Sequence, residues 1–430
     1  MPNPGSDIAV RRVVIVGTGD CGARVALGLR DHGFEGDVVL VGDETDAPYE
    51  RPALSKAVLA LESANPNSIA SGPRLAELGI TWRPGTKAVS IDRALRRLEL
   101  DTGDAIAYDR LVLATGARAR RSPVPGADIA HSLRSFRDAV ALREQLFDGA
   151  RLLIIGGGFV GLEAAATAIE RGCAVTVVEF AQTLMSRVVP NAVAEHIQAR
   201  HLAAGCDLRL GIGVEHLQPM EEGFTAVFGD GSRQQFDVGL VGIGAIPNTE
   251  LAATARLSIA NGIAADDRLR TSDPDIFAAG DCCSVPHPLY NGARLRIEAW
   301  QNAVTQAEVV AENVVGGDRV YDAVPAFWSD QYDLRLQIVG LHSFAVREVT
   351  RRRADGAELL FGLDSTGRVI SASGVAPGTA IARDMSAASA IIASRAPMHP
   401  ADLSDASVDL RSLASGRHRS SKAELISAAD

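Results

Sequence analysis

Two short stretches of the chain carry residues whose type and spacing could do chemistry. They are Gly17, Gly19 and Gly22 in VVIVGTGDCGARV, and Gly156, Gly158 and Gly161 in LLIIGGGFVGLEA. Between a strand and a helix, the first glycine of such a triad permits a tight turn and the second lets backbone approach a pyrophosphate; the third lets the helix pack close to the strand. The pyrophosphate then rests on the helix N-terminus, where free N–H groups and the dipole favour negative charge. An acid suited to a ribose hydroxyl follows each triad at a distance of about twenty residues: Asp43 after the first and Glu179 after the second. A carboxylate at Glu179 would repel the 2′-phosphate of NADP, so the second turn is predicted to take NADH. Its neighbours Val178 and Phe180 are not basic, although Arg187 lies a short way on.

Chemistry of this kind needs a strand, a helix and a second strand around each turn, and the sequence supplies that unit twice. RRVVIVGTGDCGARVALGLRDHG followed by DVVLVGDE matches RLLIIGGGFVGLEAAATAIERG followed by AVTVVEF. The internal repeat predicts an α/β protein with two Rossmann-like dinucleotide-binding domains. LVLATGA ends in a turn and an arginine- and proline-rich stretch, RARRSPVPG, which reads as a domain crossing. After VGLVGIGAIPN, the segment TSDPDIFAAGD returns the chain to its first domain. From about Tyr321, LRLQIVGL, ELLFGLD and RVISASGV read as antiparallel strands before a helical run around Met385 to Ser394, a smaller α+β domain. The expected organisation is a first domain of residues 1–117 and 245–321, a second of 118–244, a C-terminal domain of 322–414 and a mobile tail of 415–430.

Composition narrows the classes. The 430 residues are 47% hydrophobic and 22% charged, as in a globular protein, and a formal net charge of −10 argues against a nucleic-acid binder. MPNPGSDIAVRR has no apolar signal core, so a cytoplasmic protein is expected. The apolar run Leu152 to Ile169 holds three close glycines and Glu163, and reads as a nucleotide-binding turn, not a membrane span. Cys21, Cys173, Cys206, Cys282 and Cys283 form no CxxC pair and no metal-ligand spacing, which leaves reduced thiols and no metal site. Glu195, His196 and His201 lack HExxH spacing and are read as surface helix residues. No GxSxG elbow suggests a hydrolase.

The two fingerprints, the ATG turn at Ala114 to Gly116, PYERPALSK, GIGAIPN and TSDPDIFAAGDC resemble the FAD/NAD-linked reductases of the glutathione-reductase structural class. FWSDQYDLRLQIVGL at Phe327 to Leu341 is similar to the C-terminal domain of the NADH-dependent ferredoxin reductases that serve cytochrome P450 and Rieske oxygenase systems, the putidaredoxin reductase type. The resemblance, which runs to about Leu413, implies a discontinuous FAD domain, an inserted NAD domain and a C-terminal domain that caps the flavin. It implies FAD contacts at Gly17, Gly19, Cys21, Gly22, Asp43, Arg51, Lys56, Val89, Arg134, Asp281 and Trp300. NAD would meet Gly156, Gly158, Gly161, Glu179 and Gly244. Lys56 and Glu163 match a pair that in this family meets near the flavin N5: the lysine would stabilise developing negative charge and the carboxylate would hold it in place.

Electrons need an exit. A thiol reductase of this class would carry a CxxxxC in the flavin domain or a CxxC in the NAD domain, and neither occurs; a redox role for the adjacent Cys282 and Cys283 is disfavoured because a bridge between neighbours is strained. FAD can take two electrons as hydride and release them singly, which suits a [2Fe–2S] ferredoxin feeding a P450 or Rieske oxygenase. The resemblance implies that Trp328, Gln331 and Tyr332 lie near the exposed flavin edge, whereas the residues alone also read as plain core of a small domain. Arg294, Arg296, Arg335 and Arg351 to Arg353 are candidates for docking an acidic ferredoxin. An NADH oxidase or peroxidase, and a flavin-bound regulatory protein resembling apoptosis-inducing factor, remain the alternatives. A monomer or weak dimer, bound to neither nucleic acid nor membrane, is expected.

Overall fold

The computed structural model describes residues 10–186 and 188–415, and these form two compact units. One holds the residues up to Arg51, Pro66–Arg118 and Ile246–Ala323; the other holds Pro52–Asn65, Ala119–Ala245 and the residues from Val324 onward.

The first unit is built on five parallel strands, in the order Ile276–Ala278, Arg110–Leu113, Arg12–Val16, Asp37–Val41 and Ile80–Arg83. Near-continuous β-branched runs such as RVVIV and DVVLV suit strands that are buried on both faces. Val13, Val14 and Ile15 are fully buried at the centre. The chain therefore does return from Ile276 to the sheet begun at Arg12, pairing beside Arg110–Leu113. Helix Asp20–Asp31 packs on helix Trp300–Asn313. A Cβ on Gly28 would stand 2.9 Å from the Ala311 side chain, so a glycine permits that approach. A three-stranded ribbon, Ala88–Asp92, Arg97–Leu100 and Ala105–Ala107, completes the unit.

The second unit repeats the plan with four parallel strands, ordered Asp207–Leu210, Ala174–Glu179, Arg151–Ile155 and Val238–Val241. Helix Phe159–Glu170 covers it, and an antiparallel ribbon adds an aromatic cluster of Phe224, Phe228 and Phe236. Its C-terminal part is a five-stranded antiparallel sheet in the order Ala326–Gln331, Leu334–Gly340, Val369–Pro377, Glu358–Leu363 and Arg347–Arg352. Helix Ala382–Ser394 packs against its central strands. Two parallel-sheet cores and a C-terminal α+β part agree with the fold class read from the sequence. The tail from residue 416 lies outside the described residues.

Candidate functional site

Each glycine turn is shaped by contacts that exclude a side chain. Gly17 has φ +112°, and a Cβ there would stand 2.1 Å from the Ala114 carbonyl oxygen. A Cβ on Gly22 would lie 1.9 Å from the Gly17 carbonyl oxygen, which is how the helix comes to start so close to the strand. The middle glycine is different: at Gly19 the nearest atom is the Arg51 guanidinium, at 3.5 Å. The second turn copies this, with Gly156 at φ +112°, Gly161 against the Gly156 carbonyl at 2.4 Å, and Gly158 open to 3.9 Å. Gly19 and Gly158 are the N-caps of helices Asp20–Asp31 and Phe159–Glu170, and neither helix has a side-chain cap. Uncapped N–H groups beneath an open glycine are the cradle that a pyrophosphate requires. Both turns therefore fit a dinucleotide.

Around the first turn, Arg51 donates to Glu44 at 2.6 Å and stacks on Tyr49, while Asp20 accepts from the Arg51 backbone N–H at 3.4 Å. Asp20 is buried and its Oδ1 has no hydrogen-bond partner. Burial pushes its carboxyl up to about 6, against the pull of the Arg51 N–H and charge. A carboxyl that holds a proton more readily can sit beside a phosphate and donate to it. Neither Asp20 nor Glu44 stood out in the sequence, because their role depends on Arg51 folding back over the turn.

Gly17, Gly19, Cys21, Gly22, Arg51 and Asp281 come together here, with Asp281 beside Cys21 just past the returning strand Ile276–Ala278. Asp43 stands exposed beyond the end of strand Asp37–Val41. Val89 is the extra residue of a bulge in the ribbon, where the pairing shifts between Ala88 and Ser90. Trp300 opens helix Trp300–Asn313 under the Arg24 guanidinium, 5.3 Å from the ring centre, and Arg24 pairs with Glu50 at 2.7 Å. Arg134 belongs to the second unit, where its backbone N–H donates to Asp138 at 3.0 Å ahead of helix Phe136–Arg143.

In the second unit the Glu179 carboxylate closes the nucleotide turn, accepting from the backbone N–H of Gly157 at 2.7 Å and of Ala181 at 2.8 Å. Gly244, with φ +101°, follows strand Val238–Val241 and accepts from the Arg120 N–H at 2.9 Å. Arg187 lies outside the described residues. The helix that begins at this turn also carries Glu163, one turn further in and buried. Lys56 reaches it at 2.6 Å, so the two residues, distant in sequence, form an ion pair. Ser55 donates to the same oxygen at 2.5 Å and Ser329 to the other at 2.7 Å, while Thr167 binds the Ser55 carbonyl at 2.9 Å.

Two readings of the sequence need correcting. His201 is not a surface residue: it is fully buried, because it lies four residues after Ile197 on the apolar face of helix Asn191–Ala203, whereas Glu195 and His196 are exposed. Gln331 is buried between His201 at 2.8 Å and Ser329 at 2.9 Å, and the half-buried Tyr332 bonds His201 at 3.2 Å. The arginines do not make a free basic patch. Arg335 pairs with Asp330, Arg296 with Glu298, Arg352 with Glu358 and Arg353 with Asp355 and Asp384. Arg294 binds the Ala265 and Ser284 carbonyls. Arg351 is buried, bonding the carbonyls of Leu403, Asp405, Ala406 and Val408.

All five thiols are buried and free. Burial pushes the Cys21 and Cys283 thiols well up and raises Cys282, which keeps them protonated and poor nucleophiles. Among the described residues no cluster suited to a metal occurs, and no helix is long and apolar enough to cross a membrane.

Known proteins are similar to this chain over nearly its whole length. The pyridine nucleotide-disulphide oxidoreductase family model matches residues 11–307, and a reductase C-terminal model matches residues 326–414. Rhodocoxin reductase of Rhodococcus erythropolis is 39% identical, over 97% of each chain. The ferredoxin–NAD(+) reductase component of the anthranilate 1,2-dioxygenase system of Burkholderia cepacia is 38% identical, over 93% of this chain and 98% of its own. The crystal structure of the covalent putidaredoxin reductase–putidaredoxin complex superposes with a TM-score of 0.89 at 37% identity, covering 95% of this chain and 99% of that one. The chain belongs to the pyridine nucleotide-disulphide oxidoreductase family and is of its putidaredoxin-reductase type.

Proposed function

We propose that this protein is an NADH:ferredoxin reductase. The observation that carries the reading is the ion pair of Lys56 with Glu163, which is buried on the helix of the second nucleotide turn, in a chain that has no CxxC or CxxxxC dithiol to take the electrons. When bound, FAD and NADH supply hydride transfer followed by release of single electrons.

The chain's own residues do the rest. The uncapped helix N-termini at Gly19 and Gly158 hold the two pyrophosphates, and Asp43 and Glu179 accept from ribose hydroxyls. The Glu179 carboxylate, fixed by two backbone N–H groups, selects against a 2′-phosphate. Arg51, Val89, Asp281 and Trp300 complete the FAD contacts, with Cys21 at the phosphate turn, and the resemblance assigns one more to Arg134. Gly244, with its positive φ, is assigned to NAD. Lys56 presents positive charge where negative charge develops, and Glu163 anchors it.

The named relatives include reductase components of oxygenase systems, which supports a [2Fe–2S] ferredoxin as acceptor and a P450 or Rieske oxygenase beyond it. Buried thiols pushed up in pKa speak against the NADH oxidase and peroxidase readings, which call for a reactive cysteine. A cytoplasmic monomer or weak dimer completes the proposal. The test is cytochrome c reduction by the yellow protein and NADH, with and without a panel of two-iron ferredoxins. Stimulation by a ferredoxin is expected, whereas equal rates without one would refute the assignment. A higher kcat/KM with NADPH than with NADH would overturn the role given to Glu179.

A further inference from the structure

The Lys56–Glu163 pair is the end of a longer chain of hydrogen bonds in the second unit. From Glu163 it runs through Ser329 at 2.7 Å, Gln331 at 2.9 Å and His201 at 2.8 Å to the Tyr332 hydroxyl at 3.2 Å. Glu163, Ser329, Gln331 and His201 are all at least nine-tenths buried, at 6%, 0%, 2% and 0% exposure. Buried polar groups are costly unless satisfied, so a run of four inside one unit asks for a purpose.

The direction of every bond follows from Glu163. An ionised carboxylate only accepts, so the single Ser329 hydroxyl proton must point at Glu163. Ser329 can then only accept from Gln331, which fixes Nε2 of the amide toward Ser329 and leaves Oε1 for His201. Oε1 needs a donor, so the His201 proton sits on Nε2, and Nδ1 is left to accept from Tyr332. Burial lowers the His201 pKa against the Gln331 hydrogen bond, which favours the neutral imidazole this tautomer requires. All four donors therefore point the same way, each polarising the next. The amide in the middle cannot pass a proton on as a hydroxyl would; the chain orients and does not conduct.

We propose that Ser329, Gln331 and His201 are positioning residues for hydride transfer: their aligned hydrogen bonds occupy one oxygen of Glu163 and hold the other against Lys56. With Ser55 and Lys56 both on Oε2, Ser329 is the donor to Oε1 that stops the carboxylate from turning. Ser329 and Gln331 lie two residues apart on strand Ala326–Gln331 and so share a face. The C-terminal sheet thereby reaches the pair on helix Phe159–Glu170 directly.

This inference rests on the assignment of Lys56 and Glu163 to the reduction of FAD by NADH, and its test separates the two. In the FAD-loaded protein, Ser329→Ala is expected to slow flavin reduction at saturating NADH roughly tenfold, with the Kd for NADH little changed. His201→Leu should act similarly, whereas His201→Gln, which keeps a donor toward Gln331, should restore the rate to within about threefold of wild type. In a Glu163→Gln background, Ser329→Ala should have less than about a twofold further effect, since the two act as one unit. A structural readout is independent of turnover: histidine-selective ¹⁵N NMR should show His201 as the neutral Nε2–H tautomer. A wild-type rate in Ser329→Ala, an undiminished loss in the Glu163→Gln background, or an Nδ1–H tautomer would each overturn the proposal. If Lys56→Met left flavin reduction unchanged while His201 showed the Nε2–H tautomer, the relay would stand as structure and the catalytic assignment would fall.

Discussion

Asp20 gives a prediction whose sign and size both follow from its surroundings. Its carboxyl is buried at the first turn of helix Asp20–Asp31, with Oδ1 unpartnered, and burial raises its pKa from 3.8 to about 6. Between those values the folded protein binds a proton that the unfolded chain has released, so stability falls as pH rises through this window and then levels off. At about 1.4 kcal/mol per pH unit of difference, ionised Asp20 costs roughly 3 kcal/mol at neutral pH. Asparagine has the same shape and nothing to ionise. Asp20→Asn should therefore melt with wild type at pH 4 and above it at pH 7, by about 5 °C or more for a unit of this size. A bound pyrophosphate would shift the carboxyl in the same direction, so FAD-loaded protein should show the same sign. The measurement is Tm against pH for both proteins. A Tm difference that stays constant from pH 4 to pH 7 would refute the reasoning, since the variant would then be acting through packing alone.

The remaining predictions each perturb one contact. Gly22→Ala sets a methyl 1.9 Å from the Gly17 carbonyl oxygen, so the purified protein should be colourless, with FAD separating on gel filtration. In stopped-flow measurements Lys56→Met should slow flavin reduction by NADH roughly a hundredfold, the scale of losing one preorganised charge, and an unchanged rate would end its catalytic assignment. Arg351→Met strips a buried donor from the Leu403, Asp405, Ala406 and Val408 carbonyls, at a cost of about 3 kcal/mol. Limited proteolysis should then cut near residues 400–415 first, and wild-type resistance there would show that Arg351 does not secure this segment.

Much of the architecture was legible because its signals are local. A β-branched run, a glycine triad and an acid at the next strand end occupy one stretch of chain, and the same stretch recurs, so both cores could be placed before any contact was known. Glu179 was legible for the same reason, since it closes on Gly157 within one strand–helix–strand unit. Asp20 was not, because its significance comes from Arg51 folding back over the turn. Ion pairing also hid the fate of the arginines: a run such as Arg351 to Arg353 looks like an open basic face until strand alternation buries the first residue and acids meet the other two.

The segment FWSDQY shows where reading by resemblance and reading by physics part. Resemblance draws attention to its aromatic residues, and an aromatic near a flavin is an easy expectation. Alternation along strand Ala326–Gln331 asks another question: why do Ser329 and Gln331, two polar residues on one face, sit in the most buried positions? On helix Asn191–Ala203, His201 raises the same question, falling on the register of Val193 and Ile197. A polar residue at an apolar register position is a conflict that a fold tolerates only when a partner satisfies it. Here the conflicts on the strand and on the helix resolve each other, and the chain they form ends on Glu163. Such mismatches are visible in a sequence before any partner is known. Pairing them requires the structure, because nothing in the spacing of residues 163, 201 and 329 says that they meet.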